Sequence, residues 1–171
     1  ALDANNGKEI WKYKTGIQPG MSGILAAATV HDGNVIFGAK DAHLYALDET
    51  SGNLKWRYSA GIAWIIGSAI VKNNIIYVGT SDSYLLLAID AATGIEKGKF
   101  NVNGYIFATP TIYKNNIYIG DFTGRLFAIS ENPFARNSHT WSTPARKAHA
   151  ASTLKEDKID FLFASKGKNL E

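Results

Sequence analysis

The chain has 171 residues, 46% of them apolar and 19% charged, which is enough apolar mass for one well-buried domain and argues against a disordered chain. It has no cysteine, so disulfide frameworks, thiolate zinc sites and thiol nucleophiles are excluded, while the compartment is left open. The net charge of +3 comes from 18 basic residues scattered among 15 acidic ones, not from the clustered basic patch that nucleic-acid binding requires, so no nucleic-acid partner is expected.

The chain begins inside a pattern. Ala1, Asp3, Gly7 and Trp11 recur at the same offsets as Ala46, Asp48, Gly52 and Trp56, and a third copy keeps Ala88, Asp90 and Gly94 but has Gly98 at the tryptophan position. Because Ala1 falls inside a copy, the natural chain is expected to continue upstream. Neither a signal peptide nor an apolar membrane span is expected in this segment.

Between these copies the grammar is that of short strands. Ala26 to Val30, a His31-Asp32-Gly33 turn and Asn34 to Gly38 form two β-rich runs joined by a turn signal. Lys72-Asn73-Asn74 before Ile75 to Gly79, and Lys114-Asn115-Asn116 before Ile117 to Gly120, repeat the arrangement; Asn tolerates positive φ, which marks hairpin turns. A polar turn then leads to a third apolar run: Leu44 to Asp48, Leu85 to Asp90 and Leu126 to Ser130. The Asp-to-Gly turn supplies a fourth, alternating strand, as in Leu54 to Tyr58.

Gly38, Gly79 and Gly120 are spaced by 41 and 41 residues, and Asp3, Asp48 and Asp90 by 45 and 42. Four short antiparallel strands per period of about 42 residues is one propeller blade, and no sustained 3.6-residue period supports an α-solenoid. The predicted fold is an all-β propeller of about four blade-equivalents. It consists of a partial blade at 1–14, blades at about 24–60, 66–103 and 107–142, and a partial blade at 148–171. In the third full blade, the irregular segment from Glu131 to Trp141 replaces the tight turn.

An outer strand at one end and inner strands at the other leave two ways to close: a four-bladed ring, or half of an eight-bladed one. The half-ring would be cut from a longer chain, with flanking blades completing it, or paired with a second copy about a two-fold axis as a homodimer.

Trp11 and Trp56 sit at a fixed offset from a turn glycine and a turn aspartate, so each is expected to dock on the neighbouring blade. Truncation should cost about 3–5 kcal/mol if the ring is fully buried. At the third copy Gly98 predicts a weaker interface, covered by Phe100. This combination closely resembles the quinoprotein-like, pyrroloquinoline quinone (PQQ)-repeat propellers, whose tryptophan docking motif has the form Ala-x-Asp-x-x-x-Gly-x-x-x-Trp. The residues matching it are Asp3, Gly7 and Trp11; Asp48, Gly52 and Trp56; and Asp90 and Gly94.

The resemblance favours the half-ring over the four-bladed ring, and it implies one of two function classes. One comprises non-catalytic propellers, including BamB-type outer-membrane assembly proteins, which bind a partner protein, and accessory domains of larger proteins. The other comprises PQQ-dependent alcohol or sugar dehydrogenases, with quinone and Ca²⁺ on the ring axis. The expected reading is a non-catalytic, protein-binding or ligand-binding, extracytoplasmic scaffold without cofactor, closest in style to BamB; the alternative is a dehydrogenase fragment. Asp3, Asp48 and Asp90 read as turn formers, and no Glu closes a calcium loop after Asp3. His31, His43, His139 and His149 have no metal-ligand spacing. The glycine-rich stretch from Gly16 to Gly23 lacks a phosphate-loop ending, and no Gly-x-Ser-x-Gly elbow is present. Binding is therefore expected where the repeat breaks. Trp64, Tyr105 and Phe107, in connections between blades, form a candidate partner surface, with channel lining or inter-blade packing as the competing role.

Overall fold

The computed structural model describes residues 1–16 and 23–131, together with the backbone of a two-residue strand at His149–Ala150. Three four-stranded antiparallel sheets follow one another along the chain. The first contains β1 (Thr29–His31), β2 (Asn34–Gly38), β3 (His43–Asp48) and β4 (Leu54–Ser59). The second contains β5 (Ile70–Lys72), β6 (Ile75–Gly79), β7 (Leu85–Asp90) and β8 (Glu96–Asn101). The third contains β9 (Thr111–Tyr113), β10 (Asn116–Gly120), β11 (Leu126–Ser130) and β12 (His149–Ala150).

The turn chemistry anticipated from sequence has a direct backbone counterpart. Asp32 and Gly33 take φ of 47° and 69°, and Asn73 and Asn74 take 51° and 60°, the paired positive values that match hairpin twist. In the third hairpin a positive φ falls on Lys114, at 54°. Between β3 and β4, Asp48 Oδ1 accepts hydrogen bonds from Thr50 N at 3.1 Å and Ser51 N at 2.9 Å, and Gly52 closes the turn at φ 72°. Asp90 repeats this with Ala92 N and Thr93 N at 3.1 and 3.0 Å, and Gly94 at φ 72°. Asp3 does so with Asn5 N at 2.7 Å and Gly7 at φ 71°.

The sheets pack face to face, and the middle one is buried on both faces. Ile76, Val78, Leu87 and Ile89 meet Ile36, Leu44 and Ala46 of the first sheet. The alternate residues Tyr77, Leu86 and Ala88 meet Ile117, Ile119 and Ile129 of the third. A two-residue period therefore feeds both interfaces from the same strands. The first strands of successive sheets come side by side: Thr29 Oγ1 donates to Ala69 O at 2.6 Å, and Ser68 N donates to Thr109 Oγ1 at 3.2 Å. Trp11 and Tyr13 cover the other face of the first sheet against Phe37, Ala39, Tyr45 and Leu47. This is the all-β propeller architecture predicted from the repeat.

The outer strand of the third sheet differs from expectation. The repeat assigns residues from 148 onward to a further blade, but His149 and Ala150 pair with Ala128 and Phe127. Backbone pairing at a sheet edge does not depend on side-chain identity, so an extended segment from elsewhere in the chain can take the place of a repeat strand. Trp141, the irregular segment after Glu131, His139, and residues 17–22 and 151–171 lie outside the described residues.

Candidate functional site

The repeated residues gather at one end of the sheets. Trp11 Nε1 donates to Glu49 O at 3.0 Å, and its ring lies against Gly52, where an added Cβ would be 2.5 Å from Cδ2. One repeat later Trp56 Nε1 donates to Ala91 O at 3.1 Å, and its ring lies 2.6 Å from a Cβ built on Gly94. Both rings are half-buried, less than full docking would give. Where Gly98 replaces the ring, Phe100 packs into the interface and meets Phe127 with ring centroids 6.5 Å apart.

The aspartates at this end serve their own turns. Hydrogen bonds from Ser51 N and Oγ, joined by Lys55, hold Asp48 down to about 2. Burial works against ionisation of Asp90, but Thr93 and Lys97 outweigh it and keep its pKa lowered. Quinone with Ca²⁺ would need several carboxylate or amide oxygens converging on one point. Among the described residues no three His, Cys, Asp or Glu side chains converge, and Asp3, Asp48 and Asp90 are spread over successive turns. The described donor set does not fit that pair.

The opposite end of the strands carries the β2–β3, β6–β7 and β10–β11 loops and the connections between sheets. Here the backbone repeats a staple that the sequence did not reveal. Gly23 O accepts from Lys40 N at 3.0 Å, Trp64 O from Ser81 N at 3.0 Å, and Tyr105 O from Phe122 N at 2.8 Å. The next residue bonds backwards: Ile65 N donates to Ala39 O at 3.2 Å and Ile106 N to Thr80 O at 3.1 Å. Ile65 and Ile106 are fully buried as knobs over Gly38 and Gly79. Trp64 and Tyr105 occupy equivalent positions and point the other way, since neighbours along an extended segment alternate.

The Trp64 and Tyr105 connections are thus held on both sides, and the aromatic side chain of each is presented away from the buried isoleucine. Tyr84 meets Tyr105 edge-on at 5.1 Å, Tyr105 lies 5.8 Å from Phe107, and Phe107 lies 5.2 Å from Phe122. Tyr105 and Phe107 are 38% and 39% exposed and Phe122 is 74% exposed, so the row faces solvent while its backbone is fixed. Tyr84 has φ 58°, a conformation unusual for a bulky residue. Trp64 stands one repeat away. It is half-buried, and Lys40 Nζ lies 4.3 Å from its ring centroid. Of the three candidate surface residues, Tyr105 and Phe107 come together and Trp64 does not join them.

A charged latch sets the aromatic loop. Arg125 Nη2 donates to Val102 O at 2.8 Å and Asn103 O at 3.0 Å, while Nε donates to Asp121 Oδ2 at 2.8 Å. Gly104 leaves room for it, since a Cβ there would stand 2.6 Å from Asp121 Oδ2. Burial alone would raise the Asp121 pKa, but Arg125 and Thr123 overcome it and bring it to about 2. A carboxylate with a depressed folded pKa contributes stability above its unfolded pKa and loses it as pH falls through the folded value. Asp121→Asn should therefore show a shallower loss of melting temperature between pH about 4 and about 2 than the parent; identical slopes would remove the latch from the account.

Comparison with known proteins places this geometry. A sequence model of the family described as outer membrane protein assembly factor BamB matches residues 1–130. The chain is 26% identical over 138 residues to the serine/threonine-protein kinase AfsK of Streptomyces griseus, covering 74% of this chain and 17% of the kinase. It is 31% identical over 115 residues to the putative dehydrogenase XoxF of Paracoccus denitrificans, covering 63% of this chain and 17% of that protein. The crystal structure of BamB from Moraxella catarrhalis superposes with a TM-score of 0.66 at 21% identity, over 77% of this chain and 39% of that one, a likeness of fold. The chain thus spans well under two thirds of the length of these relatives. With three-quarters of its length matched by one family model and three successive four-stranded sheets in place, the chain belongs to the PQQ-repeat β-propeller family that includes BamB.

Proposed function

We propose that the chain is a non-catalytic propeller scaffold that binds a protein partner through the loop end carrying Tyr84, Tyr105, Phe107 and Phe122. The observation that carries this reading is the solvent-facing row of aromatic rings on connections whose backbone is bonded to both neighbouring blades. Rigid exposed aromatics supply contact area at little entropic cost and are enriched at interface anchors. The family description, an assembly factor, supports a protein partner and an extracytoplasmic location. The match to a segment of a protein kinase supports a binding module attached to other activities. On this reading Trp11 and Trp56, with their Asp-to-Gly turns, are structural docks. The ring is completed by flanking blades or a second copy.

The second reading, a fragment of a PQQ-dependent dehydrogenase, is favoured by the identity to XoxF. A photo-crosslinking residue at position 105, in the protein in its own cell, should give a discrete protein adduct, with none from position 99 on the outer strand. No adduct at 105, together with dye-linked alcohol oxidation on adding quinone and Ca²⁺, would replace the first reading with the second.

A further inference from the structure

The geometry points to a cation-binding site at the Asp82–Tyr84–Tyr105 loop end, for a lysine or arginine side chain of the partner protein. The inference rests on the reading of this end as a partner surface and names the chemistry it recognises.

Two copies of the same staple differ in what they set over the ring. Ala39 O accepts Ile65 N, and the next residue, Lys40, lays its ammonium over the Trp64 ring. Thr80 O accepts Ile106 N, but the next residue is Ser81. Its Oγ accepts from Trp64 N at 2.9 Å and donates to Asp82 Oδ2 at 2.5 Å. The first copy therefore fills its aromatic face with a cation from its own chain, and the second does not. Among the described residues no cation lies over Tyr105.

The carboxylates differ in the complementary sense. Asp41, in the first copy, is buried and accepts from Tyr45 Oη at 2.5 Å. Asp82, its equivalent, is exposed and forms no ion pair among the described residues. Tyr84 N donates to Ser81 O at 3.1 Å, closing the turn that carries Asp82, and the Tyr84 ring meets Tyr105 edge-on; the hydrogen bond and charge of Tyr105, then burial, and last Asp82, hold the Tyr84 phenol above its ordinary pKa. An exposed carboxylate beside two perpendicular electron-rich rings is attractive to a cation and unattractive to an anion. A neutral apolar anchor would use the rings but gain nothing from Asp82.

The test is an amide-resonance titration of the nitrogen-labelled full chain with three capped peptides, Ac-Gly-Lys-Gly-NH₂, Ac-Gly-Arg-Gly-NH₂ and Ac-Gly-Leu-Gly-NH₂. The lysine and arginine peptides should shift Asp82, Tyr84 and Tyr105, and Asp82→Asn and Tyr105→Leu should each weaken that binding about threefold to tenfold. The amide spectrum of each variant reports its folding in the same experiment. Equal shifts from all three peptides, shifts from the leucine peptide alone, or full binding by Asp82→Asn would overturn the cation site and leave the partner surface standing. No shift from any peptide would count against both.

Discussion

Trp56→Ala is expected to lower the unfolding free energy by about 2–3 kcal/mol and the melting temperature by roughly 5–10 °C. The ring packs on the core between the first two sheets and against the bare backbone of Gly94, and it donates to Ala91 O. Truncation removes those contacts, leaves a slot beside a glycine that has no side chain to fill it, and orphans the carbonyl. The cost stays below the 3–5 kcal/mol of a fully buried ring because the ring is half-exposed. Trp56→Phe should recover the packing but not the hydrogen bond, and fall between the two. A melting curve for Trp56→Ala matching the parent would show that the ring contributes no docking.

Gly38→Ala should be still more costly, about 3 kcal/mol, since overpacking of a rigid site cannot relax cheaply. A Cβ there would lie 2.2 Å from Ile65 Cγ2 and 2.5 Å from the Ile65 carbonyl oxygen, so a rotamer change alone cannot clear it. At Gly79 the clash is with the Ile106 side chain, at 2.1 Å, while the carbonyl stands off at 3.4 Å; Gly79→Ala should cost less. At Gly120 the nearest described atom is Arg125 O at 3.8 Å, and Gly120→Ala should cost under about 1 kcal/mol. The order Gly38, Gly79, Gly120 in equilibrium denaturation tests whether the 41-residue glycine period exists to admit isoleucine knobs. Equal costs at all three would trace it to the strands themselves.

The parts of the fold written in residue identity were legible. Asp, Gly and Trp at fixed offsets mark a turn and the ring that crosses it, because glycine takes φ near 72° without steric cost and its missing side chain lets the ring lie against it. Hairpins announced by Asp-Gly and Asn-Asn appeared at the expected places. What depends on backbone pairing between distant loops was not legible. The periodic glycines were visible, but Ile65 and Ile106 look like any apolar residues in a connection, and nothing local shows that they are knobs. Trp64 and Tyr105 read alike in sequence, yet Lys40, 24 residues before Trp64, covers one ring with a cation while Ser81, at the equivalent position, brings none to the other. The Asp121–Arg125 latch spans four residues, but its grip on Val102 and Asn103 depends on how two sheets face each other. The depth of tryptophan burial was not legible, because the pattern gives the partner of a ring and not its coverage.

The central claim is a division of labour: residues kept by the repeat hold the blades together, and aromatics at the loop end where the repeat departs are free to bind. Thermal melting of Trp56→Ala and Tyr105→Ser, side by side with the parent, tests that division most directly. The account predicts a fall of roughly 5–10 °C for the first and under about 3 °C for the second. A Tyr105→Ser variant that melts as low as Trp56→Ala would show that the aromatic row is part of the packing, and would contradict the claim.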